Sequence, residues 1–306
     1  MQRTSFRFMG LGFLVVALGI VVLAPSSAAA TKVIKNKTFT SYRLPAGAHD
    51  RIYQNCVFKG GSRTRAVLTI DRAARNIVFR DCVIARGGGW NGVSINDRLG
   101  NIHHIRFNRV KIKTQGRMGM EITSRPASGS RGYRAISIVN STLEPQGSQA
   151  VSFDGGAGAR DCTFRNNVVK GAGVNPRQQW GHGFELNGPS RFRVIDNRFY
   201  QCRDAIFNLQ RHTTARSGWV FKRNRLDASR HVQRVRMDRN EQVVIGNNLY
   251  GGYFLANTVI ADAPGGGVAW FGNSHHMNWS TTKWRDARGG GYKRPMAQEG
   301  SSHNRF

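Results

Sequence analysis

Short runs of alternating apolar and polar residues recur along most of the chain. One pattern reads apolar, any, Asn- or Asp-like, polar or small, any, apolar. It occurs at Tyr53–Phe58, Phe79–Ile84, Phe107–Ile112, Ile138–Leu143, Phe164–Val169, Val194–Phe199, Phe221–Leu226 and Ile245–Tyr250. Successive starts lie 26, 28, 31, 26, 30, 27 and 24 residues apart, a repeat of about 27. A second pattern interleaves with it at Leu68–Asp71, Val93–Asn96, Met120–Thr123, Val151–Asp154, Phe184–Asn187, Ala205–Asn208 and Val235–Asp238. Each is a short period-two run closed by a turn former, which predicts a strand. No stretch keeps a helical period long enough for a major helix.

Each repeat thus predicts three short strands. Strands of this length cannot bury a face alone, so equivalent strands of successive repeats must stack into parallel sheets around one continuous core. Alternation predicts Leu68, Val93, Met120, Val151 and Phe184 inside, together with Ile70, Ile95, Ile122, Phe153 and Leu186. One outward column is then Thr69, Ser94, Glu121, Ser152, Glu185, Ile206 and Arg236. A second is Asp71, Asn96, Thr123, Asp154, Asn187, Asn208 and Asp238. Asn167, Asn197, Asn224 and Asn248 form a further column, whose amides can hydrogen-bond from one repeat to the next and whose backbone suits a left-handed bend.

These repeats, over about residues 50 to 257, resemble the right-handed parallel β-helix of the pectate-lyase type. The asparagine column is similar to that family's asparagine ladder. The resemblance implies an all-β, right-handed parallel β-helix solenoid of about eight or nine turns in a single domain. Its helix would occupy residues 51–272, with an N-terminal cap over 31–50 and a basic C-terminal cap or tail over 273–306. The family holds uronate lyases, polysaccharide hydrolases, epimerases, tailspikes and adhesive proteins, so the fold alone does not give the activity. The resemblance places a substrate groove along the second pattern, after loops such as those at 85–90 and 171–180. It also implies calcium as a candidate ion, and Arg211, Lys170 or His182 as candidate bases.

Composition changes the picture. With 46 Lys+Arg against 17 Asp+Glu, the formal net charge is +29. The 36 glycines follow no G-X-Y period, which excludes collagen, and 40% hydrophobic residues is too many for a disordered chain. Residues 1–30 read as a secretory signal peptide: Arg3 and Arg7, an apolar run from Gly10 to Leu23, and the small residues Ala28, Ala29 and Ala30. Cleavage would remove two arginines and leave a charge near +27 (29 minus 2). The expected product is exported, extracellular or periplasmic, monomeric, and without a transmembrane segment. For an exported protein this charge points to an acidic polysaccharide partner rather than to nucleic acid. The four cysteines show no CxxC spacing, which disfavours a zinc ribbon. Cys56 and Cys82 share a column on adjacent turns, where a disulfide and a pair of buried thiols are both open.

The chain has five glutamates, and two of them, Glu121 and Glu185, fall in one outward column with Asp154 on the turn between. At about 4.8 Å per strand, Glu121 and Glu185 would stand roughly 9 to 10 Å apart at the backbone. Such acids suit two-carboxylate glycoside hydrolysis or a shared hard cation. The competing reading is a solvated face on which they pair with arginines. The candidate catalytic residues are Glu185, Asp154, Glu121, His182 and Arg211. Asn187, Asn208, Trp180, His212 and Arg125 are the candidate substrate contacts, with Trp90 and Tyr133 as further stacking platforms for sugar rings. The expected function is an exported enzyme acting on an acidic glycan such as a polyuronate, by β-elimination or hydrolysis. The alternatives are a non-catalytic polyanion-binding surface or matrix protein, and a neutral-glycan hydrolase using Asp154 and Glu185.

Overall fold

The computed structural model describes backbone over residues 30–286, apart from segments 86–89, 125–131, 146, 156–157, 173–180, 189, 203–204, 211–217, 229–230, 238–241, 247–248, 253–257, 262–266, 272–273 and 277–282. Side chains are described as far as residue 226, those of 203–210 excepted. No described helix is long and apolar enough to cross a membrane.

The strands form three ten-stranded sheets, and within each sheet neighbours are three elements apart in the chain. The backbone therefore visits the first, second and third sheets in turn and starts again, and every pairing between the coils is parallel. This is an all-β parallel solenoid. The first coil consists of Lys32–Lys35, Thr38–Thr40 and Tyr42–Arg43. It lies in the segment expected to be a cap and pairs in register with the second coil. Ser274–His276 and Lys283–Asp286 continue the second and third sheets into the expected C-terminal segment.

The core is a set of side-chain columns. Tyr53, Phe79, Phe107, Ile138, Phe164, Val194 and Phe221 are register partners in sequence and all fully buried. Their first three rings stack at 5.0 and 4.9 Å, within 13° of parallel. Aromatic groups repeated at one position per coil gain this contact in addition to their burial.

The turn from the first sheet to the second separates two roles that the sequence assigns to one asparagine column. The left-handed residue is the one before that column: Asn55, Asp81, Arg109, Asn140, Asn166, Asp196 and Arg223 all have φ between 52° and 59°. The next residue, Cys56, Cys82, Val110, Ser141, Asn167, Asn197 or Asn224, is buried. Asn197 Nδ2 donates to Phe164 O of the preceding coil at 2.9 Å, while its Oδ1 accepts from the Asn167 N–H at 2.9 Å. Asn167 and Asn224 donate likewise to Ile138 O and Val194 O. Nearer the N-terminus the same positions hold thiols. Cys82 Sγ donates to Tyr53 O at 3.3 Å and Cys56 Sγ to Ile34 O at 3.4 Å, which reproduces the donor half of the amide pattern. All four cysteines are free and buried, so the open choice at Cys56 and Cys82 resolves to stacked thiols. Cys202 closes the strand Arg198–Cys202.

The two arginines at this turn's left-handed position are held by carboxylates one coil back. Arg109 reaches Asp81 at 2.6 and 2.9 Å, and Arg223 reaches Asp196 at 2.6 and 3.0 Å. Both pairs are well exposed, so solvent screening leaves each a minor contribution to stability.

Candidate functional site

The third sheet carries the predicted groove strands: Leu68–Ile70, Val93–Asn96, Met118–Ser124, Gln149–Gly155 and Phe184–Asn187. Every residue expected inside on these strands is fully buried. The outward column Thr69, Ser94, Glu121, Ser152, Glu185 is in register as expected, and so is Thr123, Asp154, Asn187. The next strand, Ala205–Gln210, differs. Glu185 pairs with Asn208 rather than Ile206, Asn187 with Gln210, and Asn208 in turn with Arg234 rather than Asp238. Asn208 thus joins the column of Glu185 at the level of the backbone. A shift of two residues preserves which side chains face in, so alternation alone could not detect it.

The two glutamates are held in the same way. Asn91, fully buried, donates from Nδ2 to Glu121 Oε2 at 2.6 Å. Two coils further on, Gln149 donates from Nε2 to Glu185 Oε2. Each amide stands at the entry of one strand, and the carboxylate it serves projects from the next coil. The repetition has one difference. Met118 pairs with Gln149 in register, and one coil beyond Gln149 the equivalent position is His182. His182 is buried, and its Nδ1 lies 3.3 Å from Gln149 Nε2 and 3.6 Å from Glu185 Oε2. Glu185 therefore has a buried imidazole as a neighbour, whereas Glu121 has an amide alone. No Lys or Arg among the described residues pairs with either glutamate.

Asp154 is half-buried, directly opposite Asn187 and diagonal to Glu185. Diagonal neighbours in adjacent strands stand about 7–8 Å apart. Gly188 ends the strand just after Asn187; its φ is 92°, and a Cβ there would fall 2.0 Å from Gly155 O. Ser152, between the two glutamates, is buried, so the face recedes there.

Asn91 and Gln149 escape a reading of the sequence because both precede the alternating run. Their signal is a polar residue two positions before the strand pattern, at 91, 149 and 182. Tyr133, expected as a sugar platform, is fully buried at 6.3 Å from the Phe153 ring, and burial pushes its hydroxyl well above the usual phenol range. Trp90 is half-buried beneath the Arg117 guanidinium, 5.3 Å from its ring. Lys170 lies on the second sheet, so the fold separates it from these acids. Arg125, Trp180, Arg211 and His212 lie outside the described residues.

Glu121, Asp154 and Glu185 stand on three successive coils. Among the described residues, no three His, Cys, Asp or Glu side chains come together to hold a metal ion. The calcium site implied by the resemblance is thus not formed by these acids.

No family model and no curated protein matches the chain. Among solved structures it is similar to endopolygalacturonase I from Stereum purpureum, solved with two galacturonates, at 12% identity and a TM-score of 0.31 over 87% of this chain and 96% of that one. It is also similar to endo-xylogalacturonan hydrolase from Aspergillus tubingensis, at 8% identity and a TM-score of 0.30 over 79% of this chain and 86% of that one.

Proposed function

We propose that this protein is an exported polysaccharide-active enzyme that cuts an acidic glycan, such as a polyuronate, along the outward face of the third sheet. The proposed reaction is hydrolysis, with Asp154 and Glu185 as the carboxyl pair, on a right-handed coil of the kind that parallel crossovers almost always form. One observation carries the reading. From Leu68–Ile70 to Phe184–Asn187 the third-sheet strands present acids, amides and hydroxyls and contain no Lys or Arg, in a chain with 46 of them.

Hydrolysis needs one carboxylic acid to protonate the leaving oxygen and one carboxylate to attack or to activate water. The separations suited to it are about 5–5.5 Å or about 6.5–9.5 Å. A diagonal pair on adjacent coils brings two carboxyl groups into that range. β-Elimination instead needs a base for the proton beside the uronate carboxyl and a cation to neutralise the developing charge. The described strands of the face supply neither as Lys or Arg. Gln149 fixes one oxygen of Glu185, and the His182 imidazole stands beside the same oxygen at 3.6 Å.

The second reading is a non-catalytic polyanion binder, favoured by the basic outer faces of the first two sheets. Incubating the mature protein with polyuronates and neutral glycans, and reading both new reducing ends and unsaturated-uronate absorbance, decides between them. New reducing ends without the unsaturated band are expected. Glu185→Gln should lower the rate by about a hundredfold or more at an unchanged melting temperature. Full activity in both Glu185→Gln and Asp154→Asn would overturn the assignment. Salt-sensitive retention on acidic resin, with no cleavage of any glycan, would establish the binder instead.

A further inference from the structure

The same outward column continues towards the N-terminus into a cavity of about 360 Å³, lined among others by Arg43, Arg65, Thr69, Asp71, Trp90 and Ser94. That volume lies within the range of small-ligand pockets, about 300–1,000 Å³. We propose that it is a subsite for an anionic sugar ring, one bearing a carboxylate or a sulfate. It would hold the glycan that is cut further along the face, so it rests on the hydrolase reading above.

The chemistry differs from the rest of the third sheet. Arg43, at the start of that sheet, is paired through both nitrogens with Asp71, at 2.8 Å for the Nε contact. Arg65 is exposed and has no carboxylate partner among the described residues. A small turn fixes its backbone. Ser62 N–H donates to Arg65 O at 3.0 Å, Thr64 N–H to Ser62 Oγ at 3.3 Å, and Gly61 N–H to Ser41 Oγ at 2.9 Å. Trp90 is anchored through its carbonyl, which accepts from the Arg117 N–H at 2.9 Å. A Cβ at Gly116 would collide with that carbonyl at 1.7 Å, so a glycine is required for the approach. The wall thus offers an indole for the apolar face of a sugar and the hydroxyls of Thr69 and Ser94 for its own hydroxyls. An exposed guanidinium with no carboxylate partner among the described residues completes it, suited to planar two-point recognition of an acid. Arg43, Arg65 and Arg117 against Asp71 leave the site net positive.

Thr69 and Ser94 lie four and three register steps from Glu185 in one column. At about 4.8 Å per step that is roughly 14–19 Å, so a single chain lying across the strands reaches both places.

The test is a binding titration, by tryptophan fluorescence, of the Glu185→Gln protein and of the same protein carrying Arg65→Gln. The probes are tetragalacturonide, its methyl ester and a sulfated neutral tetrasaccharide. Arg65→Gln should weaken tetragalacturonide by about tenfold or more, the scale of one charge-assisted contact, and leave the methyl ester unchanged. An equal loss on the sulfated probe identifies a site for either anion, whereas a loss on the uronate alone identifies the carboxylate. Trp90→Ala should weaken all probes that bind, and Trp90→Phe should restore part of the loss. The subsite is overturned if Arg65→Gln binds tetragalacturonide as tightly as its parent, if the ester loses as much, or if the parent binds none of the probes. Should the unmutated protein cut no glycan yet bind with this dependence on Arg65, the hydrolase reading falls and the subsite stands. Cleavage with no dependence on Arg65 gives the reverse.

Discussion

The outer face of the third sheet and those of the other two are built on one core and one repeat, yet their chemistry is opposite. On the second sheet Lys59, Lys111, Lys113, Lys170 and Arg198 stand exposed, with Glu144 as the acid among them through that coil. Lys111 and Lys113 both approach it, at 3.9 and 3.3 Å. The first sheet adds Arg75, Arg106, Arg165 and Arg193. The third sheet, from Leu68 to Asn187, has Glu121, Asp154 and Glu185 among Ser, Thr and Asn. The difference teaches that the large positive charge is not evidence about the site itself. It sits where it can attract a polyanion over a distance of about a Debye length, some 8 Å at physiological salt, while the described third-sheet strands from Leu68 to Asn187 contain no Lys or Arg.

Exchanging the character of one position tests this separation most severely. Asn187→Arg places a guanidinium directly opposite Asp154 and should cost about a hundredfold in glycan cleavage, the scale of losing an acid or base. Thr142→Arg, beside Lys111 on the second sheet, should leave cleavage unchanged. Equal losses in rate assays would erase the distinction between the faces. A smaller effect is expected from Lys59, Lys111, Lys113 and Lys170 changed together to Gln. Retention on an acidic glycan resin should weaken on the order of tenfold, with elution at lower salt, and cleavage of short oligosaccharides should continue at the parent rate. Unchanged elution would show that the second sheet takes no part in capture.

The core beneath both faces gives a finer check. Burial pushes the thiols of Cys162 and Cys202 up to about 12. Alkylation of the native protein at pH 8 should therefore leave both unmodified and reach them on unfolding; rapid native labelling would mean that the coils open. The smallest effect belongs to a corner pair. Arg223 holds the Asp196 carboxyl below the usual carboxylate range. Its contribution is present above the unfolded value, near pH 4, and is lost as pH falls through the lower folded value. Because the pair is exposed, Asp196→Asn should cost under about 1 kcal/mol at neutral pH in denaturant titrations and nothing in strong acid. A gap that persists at low pH would exclude the ion pair as its cause.

Much of this architecture is legible in the order of residues along the chain. The period-two runs place the buried residues of the third-sheet strands and set Glu121, Ser152 and Glu185 in one column, since parity along a strand fixes which side chains face in. The eight repeat starts give the stacking order and the shared column of Phe79, Phe107 and Phe164. Legibility ends where parity stops being informative. Ala205–Gln210 fits the alternation at two registers, and the hydrogen-bonded stack selects the one with Asn208 beside Glu185.

What the sequence determined by itself was local: strand positions, facing, and the concentration of acids on one column. What only the tertiary structure decided lies between coils. Asn91 reaches a glutamate 30 residues away and Gln149 one 36 residues away. Tyr133 goes inside, and the bend falls one residue before the asparagine column. These outcomes depend on which side chains of adjacent coils are brought level. That level is set by loops of unequal length and by backbone hydrogen bonds between coils, and a pattern read along one strand does not contain it.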